Sequence, residues 1–218
     1  MTALTERVLR GLRRFNDAHP WDHNAHYHPW ILRQLPRRAG AALDVGCGTG
    51  DLARLLAGRV GRVEGVDADP GIVARARALT PAGAPVVFRV GDALAGAPRD
   101  RYDVITCVAA LHHLPFTDAL TAFRRCLAPG GTLVVVGLFR PRTLTDHLLG
   151  AAAVPLNAAV GLLRNGGRPA PRPVSMSART RPADMDFGDI VREARRVLPG
   201  ARLRRRLFWR YTLVWRRP

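Results

Sequence analysis

The feature that most constrains this chain is a rhythm. Short valine-rich runs at Ala42–Val45, Arg62–Val66, Val86–Val90, Asp103–Val108 and Thr132–Leu138 alternate with helical patterns at Asp51–Ala57, Gly71–Leu79 and Leu120–Leu127. Runs this short and this apolar suit strands covered on both faces, and strand–helix–strand repetition predicts a parallel sheet with helices on either side. Phe187 to Leu198 returns to helical spacing. Ala201–Leu207 and Arg210–Arg216 then read as two strands so close together that an antiparallel hairpin at the sheet edge is predicted. With 218 residues, the chain lies below the roughly 250 to 300 at which a single core stops growing, so one domain is expected.

Other segments stand outside this rhythm. Leu4, Val8, Leu12 and Phe15 recur at helical spacing, and Trp21 to Trp30 is dense in histidine and aromatic residues. Thr143 to Leu163 is rich in alanine and leucine, and Gly166 to Pro182 reads as a loop. The uncharged stretch Leu148 to Leu163 is shorter than the ~18 to 20 apolar residues that a spanning helix needs, and Pro155 and Asn157 interrupt it, so no transmembrane helix is expected. Three cysteines without C-x-x-C spacing suggest neither a disulfide framework nor a zinc site and fit a cytoplasmic location. No apolar core of a secretory signal follows the first arginines.

Charge is distributed unevenly. The formal net charge is +17, with every basic residue an arginine. Gly40 to Asp118 holds eight arginines against nine acidic residues, whereas Arg140 to Pro218 holds seventeen against five. The excess therefore belongs to the C-terminal part, where nucleic acid, anionic lipid, an acidic small molecule or plain solvation would each suit it.

The chemistry concentrates in Leu43-Asp44-Val45-Gly46-Cys47-Gly48-Thr49-Gly50-Asp51, which follows the first strand and opens the first helix of the sheet region. Glycines there admit a ligand against the backbone, while the strand end and free helix amides offer polar groups. Asp67 ends the next strand, 21 residues after Gly46, where a carboxylate can accept both hydroxyls of a ribose. The G-x-G-x-G spacing differs from the G-x-G-x-x-G that seats a pyrophosphate, which points away from NAD.

With these residues the sequence resembles the class I S-adenosylmethionine-dependent methyltransferases, in particular the small-molecule group related to quinone C-methyltransferases. LDVGCGTGDLA, VEGVDAD, VGDA and YDVITCVAALHHL followed by FRRCLAPGGTLVVV carry the resemblance in the family's order. It implies a Rossmann-like α/β sheet of seven strands with the last antiparallel. The segments would be an N-terminal helical lid (1–39), a cofactor-binding core (40–139), a substrate insert and loop (140–186), and a terminal helix with the edge hairpin (187–218). It also implies that Asp44, Gly46, Cys47, Gly48 and Gly50 hold the methionine moiety of S-adenosylmethionine. Asp67 would take the ribose hydroxyls, Ala68 would flank the adenine, Asp92 and Ala93 would meet its edge, and Val108 would lie beside the methionine. The product would be S-adenosylhomocysteine. Three strand-end aspartates suit a sulfonium cation.

Methyl transfer needs alignment first, and a base only where the nucleophile must lose a proton. His112 and His113, following the fourth strand, are the candidate bases. Tyr27, His28 and Trp30, with His112 and His113, are expected to border the acceptor. His19, His23, His26 and His28 have no metal-ligand spacing, so no metal is expected. For Thr143 to Leu163 two readings stand open, a lid over an apolar pocket and a patch resting on a membrane, of which the lid is preferred. The expected partner is a small, largely apolar acceptor, methylated at oxygen or carbon, rather than a specific nucleic acid. Nucleic-acid methylation at an exocyclic nitrogen resembles a different motif after strand four, and Cys107-Val108-Ala109-Ala110 stands in its place. A third reading is a protein that binds the cofactor without transferring its methyl group.

Overall fold

A computed structural model of the chain describes residues 3–92, 99–177 and 181–218. Seven strands form one sheet in the order β3-β2-β1-β4-β5-β7-β6. They are β1 (Ala41–Val45), β2 (Arg62–Asp67), β3 (Val86–Val90), β4 (Tyr102–Val108), β5 (Leu127–Leu138), β6 (Arg202–Arg206) and β7 (Arg210–Arg216). The first five pair in parallel, and β7 runs antiparallel to both β5 and β6. The predicted seven-stranded sheet with its edge hairpin is therefore present. β5 starts five residues earlier than its valine run because Leu127 already pairs with Tyr102, and an irregularity between Tyr102 and Val104 absorbs the Pro129–Gly131 turn.

Burial explains why the central strands read as unbroken apolar runs. All five residues of β1 are buried, whereas only Phe88 of the edge strand β3 is. Helices α5 (Phe116–Cys126) and α7 (Phe187–Val197) cover one face through Leu120, Phe123, Ile190 and Ala194. Helices α2 (His28–Leu32), α3 (Asp51–Ala57) and α4 (Pro70–Ala78) cover the other through Ile31, Leu52, Leu56 and Val73. Asp69 and Asp186 cap α4 and α7, each carboxylate accepting a backbone N–H of the first turn.

The segment after β5 departs from expectation. Helix α6 (Leu144–Arg164) runs for 21 residues straight through Pro155 and Asn157, and it is long and apolar enough to cross a membrane by length and composition alone. Proline inside a helix removes one hydrogen bond and crowds the preceding turn, but Pro155 lies on the exposed side, where water can take the freed carbonyl. Asn157 is no interruption either. Its Oδ1 accepts from Trp21 Nε1 at 3.0 Å and from His23 Nε2 at 2.7 Å, and its Nδ2 donates to Asn16 of α1 (Ala3–Ala18) at 3.0 Å. A capping box between Thr143 and Asp146 starts the helix. A small cluster of Trp21, Ala153 and Phe208 closes the contact of α6 with the N-terminal segment and the β6–β7 turn.

Candidate active site

Parallel strands flanking a change of direction leave a crevice at their carboxyl ends, here between β1 and β4. A cleft of about 1110 Å³ opens there, bordered by the ends of β1, β2 and β4 and by the loop between β1 and α3.

That loop is held in a fixed shape. Gly46 N–H and Cys47 N–H both donate to the Val66 carbonyl, at 2.8 and 3.1 Å, and Gly50 N–H donates to the Cys47 carbonyl at 2.9 Å. Gly46 has φ +67°, and a Cβ there would lie 2.3 Å from the Ala110 Cβ, so only glycine fits. Gly48, at φ +53°, has no atom within 4 Å of where its Cβ would stand. The loop thus presents bare backbone to the cleft. Asp67 braces it from β2, with Oδ2 accepting from Gly48 N–H at 2.9 Å and Oδ1 from Asp69 N–H at 3.0 Å. Each carboxylate oxygen keeps acceptor capacity for a further hydroxyl.

Asp44 is the most constrained charge in the cleft. It is 2 % exposed; Thr106 Oγ1 donates to its Oδ1 at 2.7 Å, and Oδ2 has no partner among the described residues. Burial lifts its carboxyl to about 7, with the Thr106 hydrogen bond opposing and the Asp67 charge adding to the rise. A buried carboxylate oxygen without a donor, facing a cleft, is suited to a cation.

The cleft brings together most of the residues singled out in the sequence: Asp44, Gly46, Cys47, Gly48, Asp67, Ala68, Asp92, Val108, His28 and His113 all line it. Gly50 stands behind the loop, where its Cβ would collide with the Phe88 ring at 2.5 Å. Ala93 lies outside the described residues. Three expected acceptor residues lie elsewhere. Tyr27 is buried in the core with its hydroxyl donating to the Leu207 carbonyl at 2.7 Å, and Trp30 packs beside the same core under the Arg206 guanidinium. His112 turns into a smaller pocket of about 340 Å³ on the far side of His113. Tyr27 and Trp30 thus serve the packing of the core. No residue of α6, the part of the expected insert preferred as a lid, lines the cleft; Arg172, Ser175 and Met176, later in the same 140–186 segment, do.

The two histidines differ in environment. Their rings lie 4.1 Å apart, and Arg181 donates to the His112 carbonyl at 2.8 Å. Burial, then the neighbouring His113 and the arginines 210 and 181, takes His112 down to about 4. His113 is lowered by burial and by Arg181, with Asp67 opposing. Both are therefore neutral at pH 7, and only His113 faces the cleft.

Several cleft residues carried no signal in the sequence. Asp22, His23 and Asn24 enter from before β1, and Arg210 enters from the start of β7. Arg210 donates to Asn24 Oδ1 at 3.0 Å and to the Phe208 carbonyl at 3.2 Å, and among the described residues no carboxylate lies within ion-pair distance of it. Ala109, at the exit of β4, holds φ +51°, and its N–H donates to the Val136 carbonyl at 2.7 Å. A non-glycine residue kept there costs of order 1 kcal/mol and directs the chain around the cleft floor.

A sheet of this order with an acidic glycine loop at its switch point defines a methyltransferase fold, and comparison with known proteins agrees. A family model described as a methyltransferase domain matches residues 42–131. An uncharacterized methyltransferase of Mycobacterium tuberculosis is 33% identical over 204 residues, covering 91% of this chain and 98% of that protein. A ubiquinone biosynthesis O-methyltransferase of Pseudomonas paraeruginosa is 30% identical over 190 residues, covering 78% and 79%. A solved S-adenosylmethionine-dependent methyltransferase from Methanosarcina mazei superposes with a TM-score of 0.60 at 17% identity, over 87% of this chain and 97% of that one, a likeness of fold. The chain belongs to the class I S-adenosylmethionine-dependent methyltransferases. S-adenosylmethionine is its cofactor. The unpartnered Asp44 oxygen and the open backbone at Gly48 fit a ligand with cationic sulfonium and ammonium groups.

Proposed function

We propose that this enzyme methylates a small, largely apolar molecule at an oxygen or an enolisable carbon, in the cytoplasm. The observation that carries the reading is the single continuous cleft running from the acidic loop to His28, His113, Leu114, Met176 and Arg210. Asp44 and the Gly46–Gly50 backbone would hold the methionine portion of the cofactor, Asp67 the ribose, and Ala68 and Asp92 the adenine side. When bound, the cofactor supplies an electrophilic methyl group. The chain's own part is alignment, and His113, neutral and facing the cleft, would take the proton of a hydroxyl or acidic C–H. Arg210 gives the acceptor end a fixed positive charge that favours the nucleophile's anion. The relative named for ubiquinone biosynthesis supports a small, oxygen-bearing acceptor.

The test is release of S-adenosylhomocysteine with a panel of phenols, enolisable ketones, carboxylic acids, RNA and DNA. Turnover with one of the small molecules and none with nucleic acid at physiological salt is expected. Transfer to bulk RNA or DNA would overturn the reading, and cofactor binding with no turnover on any acceptor class would favour a binding protein.

A further inference from the structure

Helix α6 is amphipathic in the opposite sense from a helix docked on a soluble core. Its buried residues include Asp146, Asn157 and Gly161, while its outward side carries Leu144, Leu148, Pro155, Leu156, Leu162 and Leu163. Leu144, Leu148 and Leu163 are 74%, 61% and 79% exposed. At 100° per residue these outward positions fall on one face, shared with Thr145, Ala151, Ala152 and Ala159, and no charged residue interrupts it from Leu144 to Leu163. A continuous apolar face of six turns exceeds the scattered leucines normal on a monomer's surface and marks an interaction site.

We propose that this face rests on an anionic lipid bilayer, with α6 lying in the plane of the headgroups. Charge selects this occupant. Exposed arginines stand at both ends of the helix, Arg140 and Arg142 before it and Arg164 and Arg168 after it; of these Arg142 is paired with Asp186, and the Arg164 guanidinium lies 5.2 Å from the centre of the Trp21 ring, toward the protein. The chain as a whole carries a formal +17, which repels a second copy and attracts anionic lipid. Trp209, 40% exposed, lies alongside Gly150 of α6, where a Cβ would come within 3.4 Å of its indole nitrogen. Phe208 and Trp209 both hold positive φ, 58° and 59°, in the β6–β7 turn without a glycine. That turn anchors Phe208 beneath α6 and sets Trp209 against Gly150, on the side of the helix that carries Asp146 and Asn157 rather than on its leucine face.

The same contacts keep α6 on the surface rather than across the membrane. Arg205 Nε donates to Asp146 Oδ1 at 2.6 Å, and the Asn157 side chain bonds to Trp21, His23 and Asn16. Spanning would strip these polar groups of their partners inside hydrocarbon. Lying flat leaves every one of them satisfied and buries leucine, alanine and proline with a single hydroxyl, that of Thr145.

The experiment is co-sedimentation of the full chain with phosphatidylcholine vesicles, with and without phosphatidylglycerol, for the wild type and for Leu148→Glu/Leu163→Glu. Both substituted positions are exposed, so the fold should persist. Cofactor affinity measured in parallel confirms that, and it separates this proposal from the one on the acceptor. The wild type is expected to partition to the anionic vesicles, with partition falling roughly tenfold or more in the double variant while cofactor affinity stays unchanged. Partition that survives both substitutions would overturn the role of the face. Absence of vesicle binding at low salt would overturn the proposal, as would a dimer in sedimentation velocity that the double variant abolishes, which would assign the face to a second copy.

Discussion

Asp44 shows how one side chain can serve function against stability. Its folded carboxyl lies near 7, above its usual 3.8, so folding favours the protonated form. Its penalty is absent below about pH 4 and grows as pH rises through 7, the reverse of a salt-bridged carboxylate. Asp44→Asn keeps an oxygen for the Thr106 hydroxyl and removes the buried charge. Urea titration is expected to show it more stable than wild type by about 1–3 kcal/mol at pH 8 and equal to it at pH 4. Cofactor affinity should fall. Equal stability at both values would show that the carboxylate is not strained by burial. His113 makes the second prediction at this scale. An unperturbed imidazole titrates near pH 6 to 7, and burial with Arg181 moves this one lower. As the base, it would give a rate profile falling on the acid side below that range. His113→Ala is expected to lower kcat by ~10² or more and remove that limb, with cofactor affinity held within about twofold. A variant that keeps the rate and the profile would leave alignment as the catalytic device. The cofactor half of the cleft was legible at this scale because its residues cluster in short motifs at strand ends. Arg210, Asp22 and His23 were not, since they meet there from opposite ends of the chain.

At the scale of elements, the sheet could be read from the sequence because a doubly covered strand leaves an apolar run, as β1 does with all five residues buried. Helix α6 could not, for a physical reason. Its periodic stripe is small and polar where it meets the protein, and its leucines point away. Its composition alone therefore suited a lid over an apolar pocket and a patch on a membrane equally, and only the burial of each position shows which side the leucines take. What fastens it is the Asn157 amide, joining α6 to Trp21, His23 and α1. Asn157→Ala leaves the Trp21 indole only the backbone carbonyl of residue 157, at 3.1 Å, and leaves His23 and Asn16 without that partner. It is expected to lower the free energy of unfolding by about 1–3 kcal/mol, with amide exchange rising first in α6 and α1. Unchanged exchange there would show that the apolar contacts hold the helix alone.

For the molecule as a whole, two charge systems are kept apart. The cofactor end of the cleft gathers Asp44, Asp67 and Asp92, while the arginine excess lies in the C-terminal half. Local fields dominate at contact distance, so a strongly basic protein can still receive a cationic cofactor. The +17 total was plain in the sequence, but only the structure places part of it at the ends of α6. The account rests most heavily on the strand-end acids and the glycine loop forming the cofactor site. Titration calorimetry of S-adenosylmethionine into wild type and Asp67→Ala tests this directly. One saturable site is expected in the wild type, indifferent to NAD. The variant should bind more weakly by at least ~1.5 to 3 kcal/mol, the scale of a charge-assisted hydrogen bond lost at a ribose. Unchanged affinity in Asp67→Ala, or displacement of S-adenosylmethionine by NAD, would contradict it.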